Sequence, residues 1–500
     1  MFKEIVKVFG ETVVYGFAGI ASTLASLLLV PIYTRVLNPA DYGVVTILTT
    51  ISNIVGVVAV AGIGWALFWA YFKAKKRERK SVVGTALVFQ TIFPLAITLV
   101  VFALSHSLSS FLFRSDRYAN LITLSAVIMF FNAGIGIPLA LLRANSRPTK
   151  YVVVNLIKIV STVVLAFALV AGFNMGVEGA IWANLLGCAL GYLAGLVFTF
   201  GDLSLSFSVR WLKEMLSFGA PLIPAGLAMW VLNSSDRYFL NAFVGTSEVG
   251  LYNVGYKVGM LVSLVVGAIT LAYPRFMFFV YNEKPNPQDY YRRANTYFFL
   301  ITFWFALSIS IFAKEAIGIL TGPLFHDAYP VVPLIAFSYV ASGLYQNFGT
   351  GATVVKKTYL STVAAAIAGV ANLVMNYFLI KSFGMMGAAI STLVSFILLA
   401  FIQLYFSQKV YPISFEFRRM LIITIVGGLL VYLATLIEFG FVLSLVVKVI
   451  IFAVFPILLF FLGFFEEGEL RKFSQIWDLI KSGREGFGRI LDTIKQEVIS

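Results

Sequence analysis

FGAPLIPAGLAMWVLNSSDRYFLNAFVGTSEVGLYNVGYK, residues 218–257, determines how the rest of this chain has to be arranged. Its apolar run contains two prolines and then sets an acid beside a base, Asp236 and Arg237, where a membrane helix would still lie in or near the acyl region. Charges at that depth cost roughly 2.5–3.5 kcal/mol on insertion scales, so they are functional candidates. The stretch also restarts a pattern found at residues 16–43, which predicts that a related second half of the chain begins here.

The composition is that of a membrane protein. Hydrophobic residues make up 60% of the chain and charged residues 12%, with a mean hydropathy of +0.92, whereas soluble domains are about a quarter charged. Apolar segments of about 20 residues recur from end to end, and each is long enough to cross about 30 Å of hydrocarbon as a helix. We predict an all-α polytopic membrane protein of about fourteen transmembrane helices. The predicted spans lie at about 11–34, 42–71, 82–105, 119–142, 151–171, 179–200, 215–240, 248–273, 294–320, 329–355, 359–380, 385–408, 418–437 and 441–463.

The positive charges indicate the orientation in the membrane. The net charge of +14 is distributed over short loops between apolar segments, so nucleic acid is not the expected partner. Lys and Arg are retained on the cytoplasmic side, and alternate loops are rich in them. These basic loops contain Lys73, Lys75, Lys76, Arg77, Arg79 and Lys80; Arg143, Arg147 and Lys150; Arg210 and Lys213; Lys284, Arg292 and Arg293; Lys356 and Lys357; and Lys409, Arg418 and Arg419. Both termini are therefore expected in the cytoplasm, with the chain in the plasma or inner membrane.

The chain repeats itself internally. Residues 143–187 and 351–395 match at a constant offset of 208 residues, for example at Gly176 and Gly384. Each half begins on the same side of the membrane, which is typical of a parallel repeat about an axis along the membrane normal. The predicted parts are an N-terminal six-helix bundle at 1–200, a cytoplasmic linker at 201–214, a C-terminal six-helix bundle at 215–410, two additional transmembrane helices at 411–465 and a cytoplasmic amphipathic tail at 466–500. Within the first bundle, Gly187, Gly191 and Gly195 form a small-residue face for close helix packing.

The sequence does not contain the motifs of common enzymes. Cys188 is the one cysteine, and the two histidines fall in predicted loops, so no thiolate metal site is expected. No GxxxxGK[ST] phosphate loop is present, since GLYNVGYK at residues 250–257 has its lysine displaced. We therefore expect no enzyme activity, no cofactor and no metal. The energy for transport is expected to come from a gradient, either of another solute or of the substrate itself.

Ionisable residues within apolar spans are the candidate site. A cleft between two facing halves would be cationic and would select an anion. The candidates for binding a substrate headgroup in this central cavity are Arg35, Lys158, Arg237, Lys257 and Arg275. Each has a simpler alternative, because an arginine near a span end can snorkel to the interface and anchor the helix. Asp236 is a candidate for ion or proton coupling, and its alternative is to neutralise Arg237.

Two tracts and one short element carry a resemblance to a known family. The tracts are GFAGIASTLASLLLVPIYTRVLNPADYGVVTI at 16–47 and FGAPLIPAGLAMWVLNSSDRYFLNAFVGTSEVGLYNVGYKV at 218–258, and the element is GxxGA at 176–180 and 384–388. Over roughly residues 1–465 the chain resembles the polysaccharide-transporter branch, the Wzx-type flippases of lipid-linked oligosaccharides, of the multidrug/oligosaccharidyl-lipid/polysaccharide exporter (MOP) superfamily. It differs from the related multidrug exporters in its RxLNxxDYG-type tract, and it lacks a lone membrane carboxylate in span one of the kind that many of those exporters use.

The resemblance implies a MATE-like fold, a V-shaped pair of six-helix bundles around a cationic cavity. The cavity would move an undecaprenyl- or dolichyl-linked (pyro)phosphate glycan from the inner to the outer leaflet. Arg35 and Arg237 are supported as headgroup contacts, with Lys158, Lys257 and Arg275 as further candidates. Spans thirteen and fourteen correspond to the two helices that fourteen-helix members have in addition to the two bundles. In those members the two helices often form a groove for the lipid tail.

The sequence therefore predicts a flippase for a lipid-linked anionic glycan that works by alternating access. The main alternative is a cation-coupled multidrug or small-molecule antiporter of the same superfamily, which would need an acidic cavity. A second alternative is a scaffold for glycan-assembly enzymes. The expected partners are the polyprenyl-linked glycan, membrane lipids and glycan polymerases or glycosyltransferases of the same pathway, and the chain is expected to be a monomer.

Overall fold

A computed structural model describes residues 2–437, 439–466 and 469, and side chains from residue 19 onward. Its described residues form helices and connecting turns, without a β-strand. The α-helices are α1 (Phe2–Val36), α2 (Pro39–Val60), α3 (Ile63–Lys73), α4 (Arg79–Ala103), α5 (Ser105–Phe113), α6 (Ala119–Gly134), α7 (Gly136–Ala144), α8 (Pro148–Ala166), α9 (Gly176–Thr199), α10 (Val209–Gly219), α11 (Leu222–Ser234), α12 (Asp236–Phe243), α13 (Thr246–Gly259), α14 (Val262–Glu283), α15 (Pro287–Ile311), α16 (Ala313–Leu320), α17 (Val331–Phe348), α18 (Thr350–Val354), α19 (Tyr359–Val410), α20 (Phe417–Thr435) and α21 (Phe441–Phe461). Short 3₁₀ turns lie at Asp116–Tyr118, Phe200–Asp202 and Pro323–Ala328, and a π-helical turn lies at Phe167–Gly172.

Eleven of the described helical stretches are long and apolar enough to cross a membrane, or twelve if the bent pair of α10 and α11 is one span. Counted by length and apolar character, the described helices therefore give fewer spans than the predicted fourteen. In this count α19 is one stretch of 52 residues, about 78 Å long at 1.5 Å per residue. Gly384 breaks that helix with a φ of 54° and a ψ of −132°, at the boundary predicted between two spans. The number fourteen stays a prediction.

The internal repeat is visible in the backbone. Gly176 and Gly384, which are equivalent in the repeat, both have left-handed backbone with φ of 58° and 54°. Glycine takes this conformation without the steric cost that a Cβ brings. The two halves of the repeat therefore use the same glycine turn between consecutive helices.

Local sequence explains the first helix junction. Asn38 precedes α2, and its side-chain oxygen accepts a hydrogen bond from the backbone N–H of Asp41 at 2.8 Å. Pro39 follows at the first helical position, where the missing N–H of proline costs no helical hydrogen bond. The tract LNPADYG is thus the end of one helix and the capped start of the next.

Two predicted segments have internal features that the sequence did not indicate. The span predicted at 42–71 lies within the candidate span Pro39–Lys73, which is divided into α2 and α3 because Ala61 and Gly62 both have left-handed backbone with φ of 48° and 67°. The end of the predicted linker, from Val209, is already helical in α10, which turns by 42° into α11 at Pro221. A proline in a helix removes one backbone hydrogen bond and favours such a bend.

The chain divides into two compact units, residues 1–415 and 416–500. In the second unit α20 packs against α21, and Arg419 makes ion pairs with Glu416 at 3.0 Å and with Glu469 at 2.6 Å. The predicted amphipathic tail at 466–500 lies outside the described residues except for Glu466 and Glu469. The first unit contains both halves of the repeat and the candidate site.

Candidate functional site

Two neighbouring cavities lie in the first unit. The large cavity has a volume of about 880 Å³ and the small one about 240 Å³. Three residues, Thr49, Asn53 and Asn184, line both of them. Helices of the first half, from α1 to α9, form most of both walls, and the second half contributes α11 to the large cavity and α11, α12 and α13 to the small one. The cavities thus lie where the two halves meet.

The large cavity is lined by hydroxyl and amide side chains and one cation, together with apolar residues and glycines. Its polar residues are Ser22, Ser26, Thr49, Ser52, Asn53, Asn132, Lys158 and Asn184. The Lys158 ammonium group donates a hydrogen bond to the side-chain oxygen of Asn132 at 2.5 Å. Of the residues that line the two cavities, all of them in the described part of the chain, none is Asp or Glu.

The glycine face of α9 brings Lys158 close to that helix. A Cβ added at Gly191 would lie 2.7 Å from the Cβ of Lys158, and one added at Gly187 would lie 1.9 Å from the Thr162 hydroxyl. Distances this short leave no space for a larger residue, so α8 and α9 approach each other as closely as glycine permits. The predicted packing role of these glycines is confirmed, and one consequence is the position of the lysine at the cavity wall.

The small cavity has two cations, Arg237 and Lys257. The ammonium group of Lys257, on α13, donates to the backbone oxygen of Ser26 on α1 at 3.3 Å, and it lies 5.7 Å from the centre of the Tyr42 ring. Asn253, one turn earlier on α13, donates to the Thr46 hydroxyl at 3.0 Å. Lys257 and Asn253 therefore connect the second half of the chain to the first across the cavity.

Asp236 and Arg237 form a buried ion pair. Their side chains are 1% and 7% exposed, and an Arg237 guanidinium nitrogen lies 2.7 Å from a carboxylate oxygen of Asp236. The other carboxylate oxygen accepts from the Tyr252 hydroxyl and from the Thr392 hydroxyl, the latter at 3.2 Å. The guanidinium group also lies 4.1 Å from the centre of the Tyr256 ring, a favourable position for a cation. The backbone N–H of Arg237 also donates to the first carboxylate oxygen, at 2.9 Å, so the carboxylate accepts from one guanidinium group, one backbone N–H and two hydroxyls.

A buried polar network begins at Ser235, the residue next to this pair in the sequence. The Ser235 hydroxyl donates to the side-chain oxygen of Asn372 at 3.0 Å, and Asn376 donates to the Ser235 oxygen at 3.1 Å. Asn372 also donates to Ser395 at 2.9 Å. The network joins the α11–α12 junction to both parts of α19, on either side of the Gly384 break.

Arg35 and Arg275 lie elsewhere. Arg35 is exposed in the last turn of α1, and Arg275 is exposed within α14. Neither is among the residues that line the two cavities. The structure therefore brings Lys158, Arg237 and Lys257 to adjoining cavities and leaves these two candidates outside them.

Sequence reasoning missed several polar partners at the site. Asn132, which accepts from Lys158, and Asn184, which lines both cavities, were not singled out. Neither were Tyr252 and Thr392, whose hydroxyls donate to the Asp236 carboxylate. An amide within an apolar span is a usable signal, since polar groups there need partners. Tyrosine and threonine are too common in such helices to indicate a site. In the described residues no group of three or more His, Cys, Asp or Glu is arranged to hold a metal ion.

Sequence comparison relates the chain to proteins of glycan assembly. A family model described as "Polysaccharide biosynthesis protein" matches residues 32–330, more than half of the chain. A probable low-salt glycan biosynthesis flippase, Agl15, from Haloferax volcanii is 22% identical over 286 residues, which are 56% of this chain and 60% of that protein. A putative O-antigen transporter from Shigella flexneri is 22% identical over 406 residues, 75% of this chain and 91% of the relative.

Structure comparison relates the fold to known transporters. The lipid II flippase MurJ, in an inward closed conformation, has a TM-score of 0.73 at 11% identity, covering 90% of this chain and 98% of MurJ. An inward-facing multidrug resistance MATE family transporter of the MOP superfamily has a TM-score of 0.65 at 16% identity, covering 78% of this chain and 94% of that chain. At these identities the likeness establishes the fold, and the predicted all-α, MATE-like fold class is confirmed.

Proposed function

The chain belongs to the polysaccharide biosynthesis protein family, and on that basis we propose that it is a flippase for a lipid-linked oligosaccharide. Its substrate is a polyprenyl-phosphate or polyprenyl-pyrophosphate glycan, which it moves from the inner to the outer leaflet by alternating access. The glycan head cannot cross hydrocarbon unaided, whereas the polyprenyl tail can stay in lipid. The cavity has to accept only the head.

The observation that carries this proposal is the character of the cavity lining. Lys158 faces the large cavity with a neutral partner, Asn132, and none of the lining residues is acidic. In a medium of low dielectric constant, such a cation attracts a phosphate strongly. The hydroxyls and amides around it match the hydrogen-bonding groups of a sugar. An antiporter for organic cations would need the opposite charge, so the lining favours the flippase.

The remaining candidates keep their proposed roles. Arg237 and Lys257 contact the headgroup from the small cavity, while Arg35 and Arg275, outside both cavities, are proposed as contacts in another state of the transport cycle. Asp236 is proposed as the ion-coupling residue, because its carboxylate lies among hydroxyl donors that a proton or cation would rearrange.

The proposed setting is the plasma or inner membrane, with both termini in the cytoplasm. The basic loops support this orientation, since Lys and Arg are retained on that side. We propose that the protein works as a monomer beside the glycosyltransferases and glycan polymerase of its pathway.

Transport in liposomes tests the proposal. The purified protein is reconstituted with a fluorescent polyprenyl-pyrophosphate glycan, and a membrane-impermeant quencher reports the fraction that reaches the other leaflet. Lys158→Met removes the charge at similar side-chain length and is expected to slow flipping at least tenfold, since a hydrogen bond to a charged group contributes about 1.5–3 kcal/mol. Lys409→Met, an exposed lysine stacked on Tyr405 outside both cavities, is the matched control and is expected to have no effect.

The opposing outcomes are distinct. No flipping of any member of a panel of polyprenyl-phosphate glycans would favour the scaffold. Efflux of cationic dyes that survives Arg237→Ala would favour the antiporter. For coupling, Asp236→Asn is expected to abolish the dependence of flipping on an imposed proton or sodium gradient, and an unchanged dependence would remove Asp236 from that role.

A further inference from the structure

Trp65 presents an indole ring to the large cavity. It lies near the beginning of α3, lines that cavity, and is 62% exposed. Most of the other lining groups are small, so this ring is the largest flat surface that the cavity offers. A tryptophan in a span can lie against lipid, but this one lines the same cavity as Lys158 and the hydroxyl and amide side chains.

The break between α2 and α3 gives the ring its position. Ala61 and Gly62 both have left-handed backbone, which is uncommon for a residue with a Cβ such as Ala61. A Cβ at Gly62 would lie 2.4 Å from the backbone oxygen of Gly219, so the break packs directly on the end of α10. Leu222 and Ile223, just beyond, line the same cavity. Trp65 thus stands at the edge where the second half of the chain closes on the first.

Arg143 packs against the ring. Its guanidinium carbon lies 5.1 Å from the centre of the Trp65 ring, within the range of a cation–π interaction. Arg143 is in the last turn of α7 and is not among the residues that line the cavity. Its Nε is buried without a hydrogen-bond partner, so stacking on the indole is the interaction that the geometry supports. Arg143 therefore fixes the ring from outside the cavity lining.

We propose that Trp65 is a stacking platform for one sugar ring of the transported glycan, with Arg143 as its positioning residue. The inference rests on the proposed function and adds a subsite to it. A pyranose ring has a face of C–H groups that packs on the negative face of an aromatic ring, while its hydroxyls point outward. Those hydroxyls would meet the Ser, Thr and Asn side chains of the lining. Lys158 would take the phosphate, and Trp65 the sugar.

Two probes that differ by one sugar separate the subsite from the cation. The first is farnesyl pyrophosphate, and the second is the same molecule carrying one hexose or N-acetylhexosamine. Their dissociation constants are measured for the full chain in lipid nanodiscs. The unaltered protein is expected to bind the sugar-bearing probe more tightly. Trp65→Ala is expected to weaken that probe about tenfold, which corresponds to about 1.4 kcal/mol, and to leave farnesyl pyrophosphate unchanged.

Further variants keep the test specific. Trp65→Phe retains an aromatic face and is expected to keep most of the sugar-dependent affinity. Trp182→Ala removes a half-exposed tryptophan of α9 outside the cavity lining and is expected to change neither constant. Arg143→Gln is expected to lower the sugar-dependent affinity alone, with partial recovery in Arg143→Lys. Weaker binding of both probes by Arg143→Gln would make Arg143 a phosphate contact and overturn its positioning role.

The two proposals fail in different ways. Equal affinity of the unaltered protein for both probes, or an equal loss for both in Trp65→Ala, overturns the sugar platform and leaves the flippase standing. If the unaltered protein binds neither probe, the proposed function fails and the platform fails with it.

Discussion

Asp236 and Arg237 are neighbours in sequence and partners in space. The Asp236 carboxylate accepts from the backbone N–H of Arg237 at 2.9 Å and from its guanidinium group at 2.7 Å. The hydroxyls of Tyr252 and Thr392 complete its hydrogen bonding. Breaking a buried pair by removing one partner is strongly destabilising, because an uncompensated charge is left in a medium of low dielectric constant.

The pair is therefore expected to behave as a unit in stability. Asp236→Asn and Arg237→Met are each expected to destabilise the protein by about 3–5 kcal/mol. The double variant is expected to lose much less than the sum, since no unpaired charge remains. The measurement is the thermal unfolding midpoint of the purified protein in one detergent at a fixed scan rate.

An exposed pair provides the control. Lys73 and Glu214 lie 2.8 Å apart with side chains 51% and 25% exposed. Exposed pairs contribute about 0–1 kcal/mol, so Lys73→Met and Glu214→Gln are expected to shift the midpoint little, singly or together. Additive losses for Asp236 and Arg237 would contradict the coupling that their contact implies.

At the scale of elements, α2 and α13 meet through two glycines, one from each half of the chain. A Cβ at Gly43 would lie 1.8 Å from the backbone oxygen of Thr246, and one at Gly250 would lie 2.1 Å from that of Pro39. Backbone atoms cannot move away as a flexible side chain can. The contact between the two halves at this end therefore depends on the absence of a side chain.

Gly43→Val is expected to separate these helix ends. Spin labels on Val36→Cys and Val244→Cys, both exposed in the native chain, report the distance between the halves in a Cys188→Ser background. The distribution is expected to move to longer distances. Gly267→Val, where a Cβ would have open space, is the control and is expected to keep the original distribution. A Gly43→Val distribution like that of the control would mean that the contact does not hold the ends together.

Some elements were predictable from sequence and others were not. Pro221 and Gly384 mark real breaks, because each residue type imposes its own backbone conformation. The break at Ala61 and Gly62 was not predicted, since a glycine in an apolar run is as compatible with a continuous helix. Lys158 and Lys257 were predicted for a cavity because a charge in an apolar span has few other places to be. The sequence pattern did not predict whether Arg35 would face the cavity, because that depends on how α1 packs against its neighbours.

At the scale of the whole molecule, the sequence repeat predicts related halves but not how they meet. Arg35 and Arg237 were both expected to contact a headgroup in one central cavity, yet one is exposed and the other is paired and buried. The family prediction is confirmed, because the family match covers more than half of the chain. The cavity itself depends on contacts between the halves, such as those of Asn253 and Lys257 with α2 and α1. Such contacts between distant segments leave no local signal.

Alternating access requires these cross-half contacts to open and close, which predicts that a covalent link across them stops transport. Asn253 on α13 donates to the Thr46 hydroxyl on α2 at 3.0 Å. In a Cys188→Ser background, Thr46→Cys with Asn253→Cys is joined by a short, reducible bifunctional thiol reagent. Flipping of the fluorescent glycan lipid in liposomes is expected to stop on cross-linking and to return on reduction.

A link inside one half is the comparison. Thr98 on α4 donates to the backbone oxygen of Ala126 on α6 at 3.3 Å, and both helices belong to the first half. Thr98→Cys with Ala126→Cys, joined by the same reagent, is expected to leave flipping intact, because rocking moves each half as a body. Equal inhibition by both links would indicate motion within the half. Undiminished flipping with α2 and α13 joined would mean that the glycan crosses while the halves stay together, and alternating access would have to be abandoned.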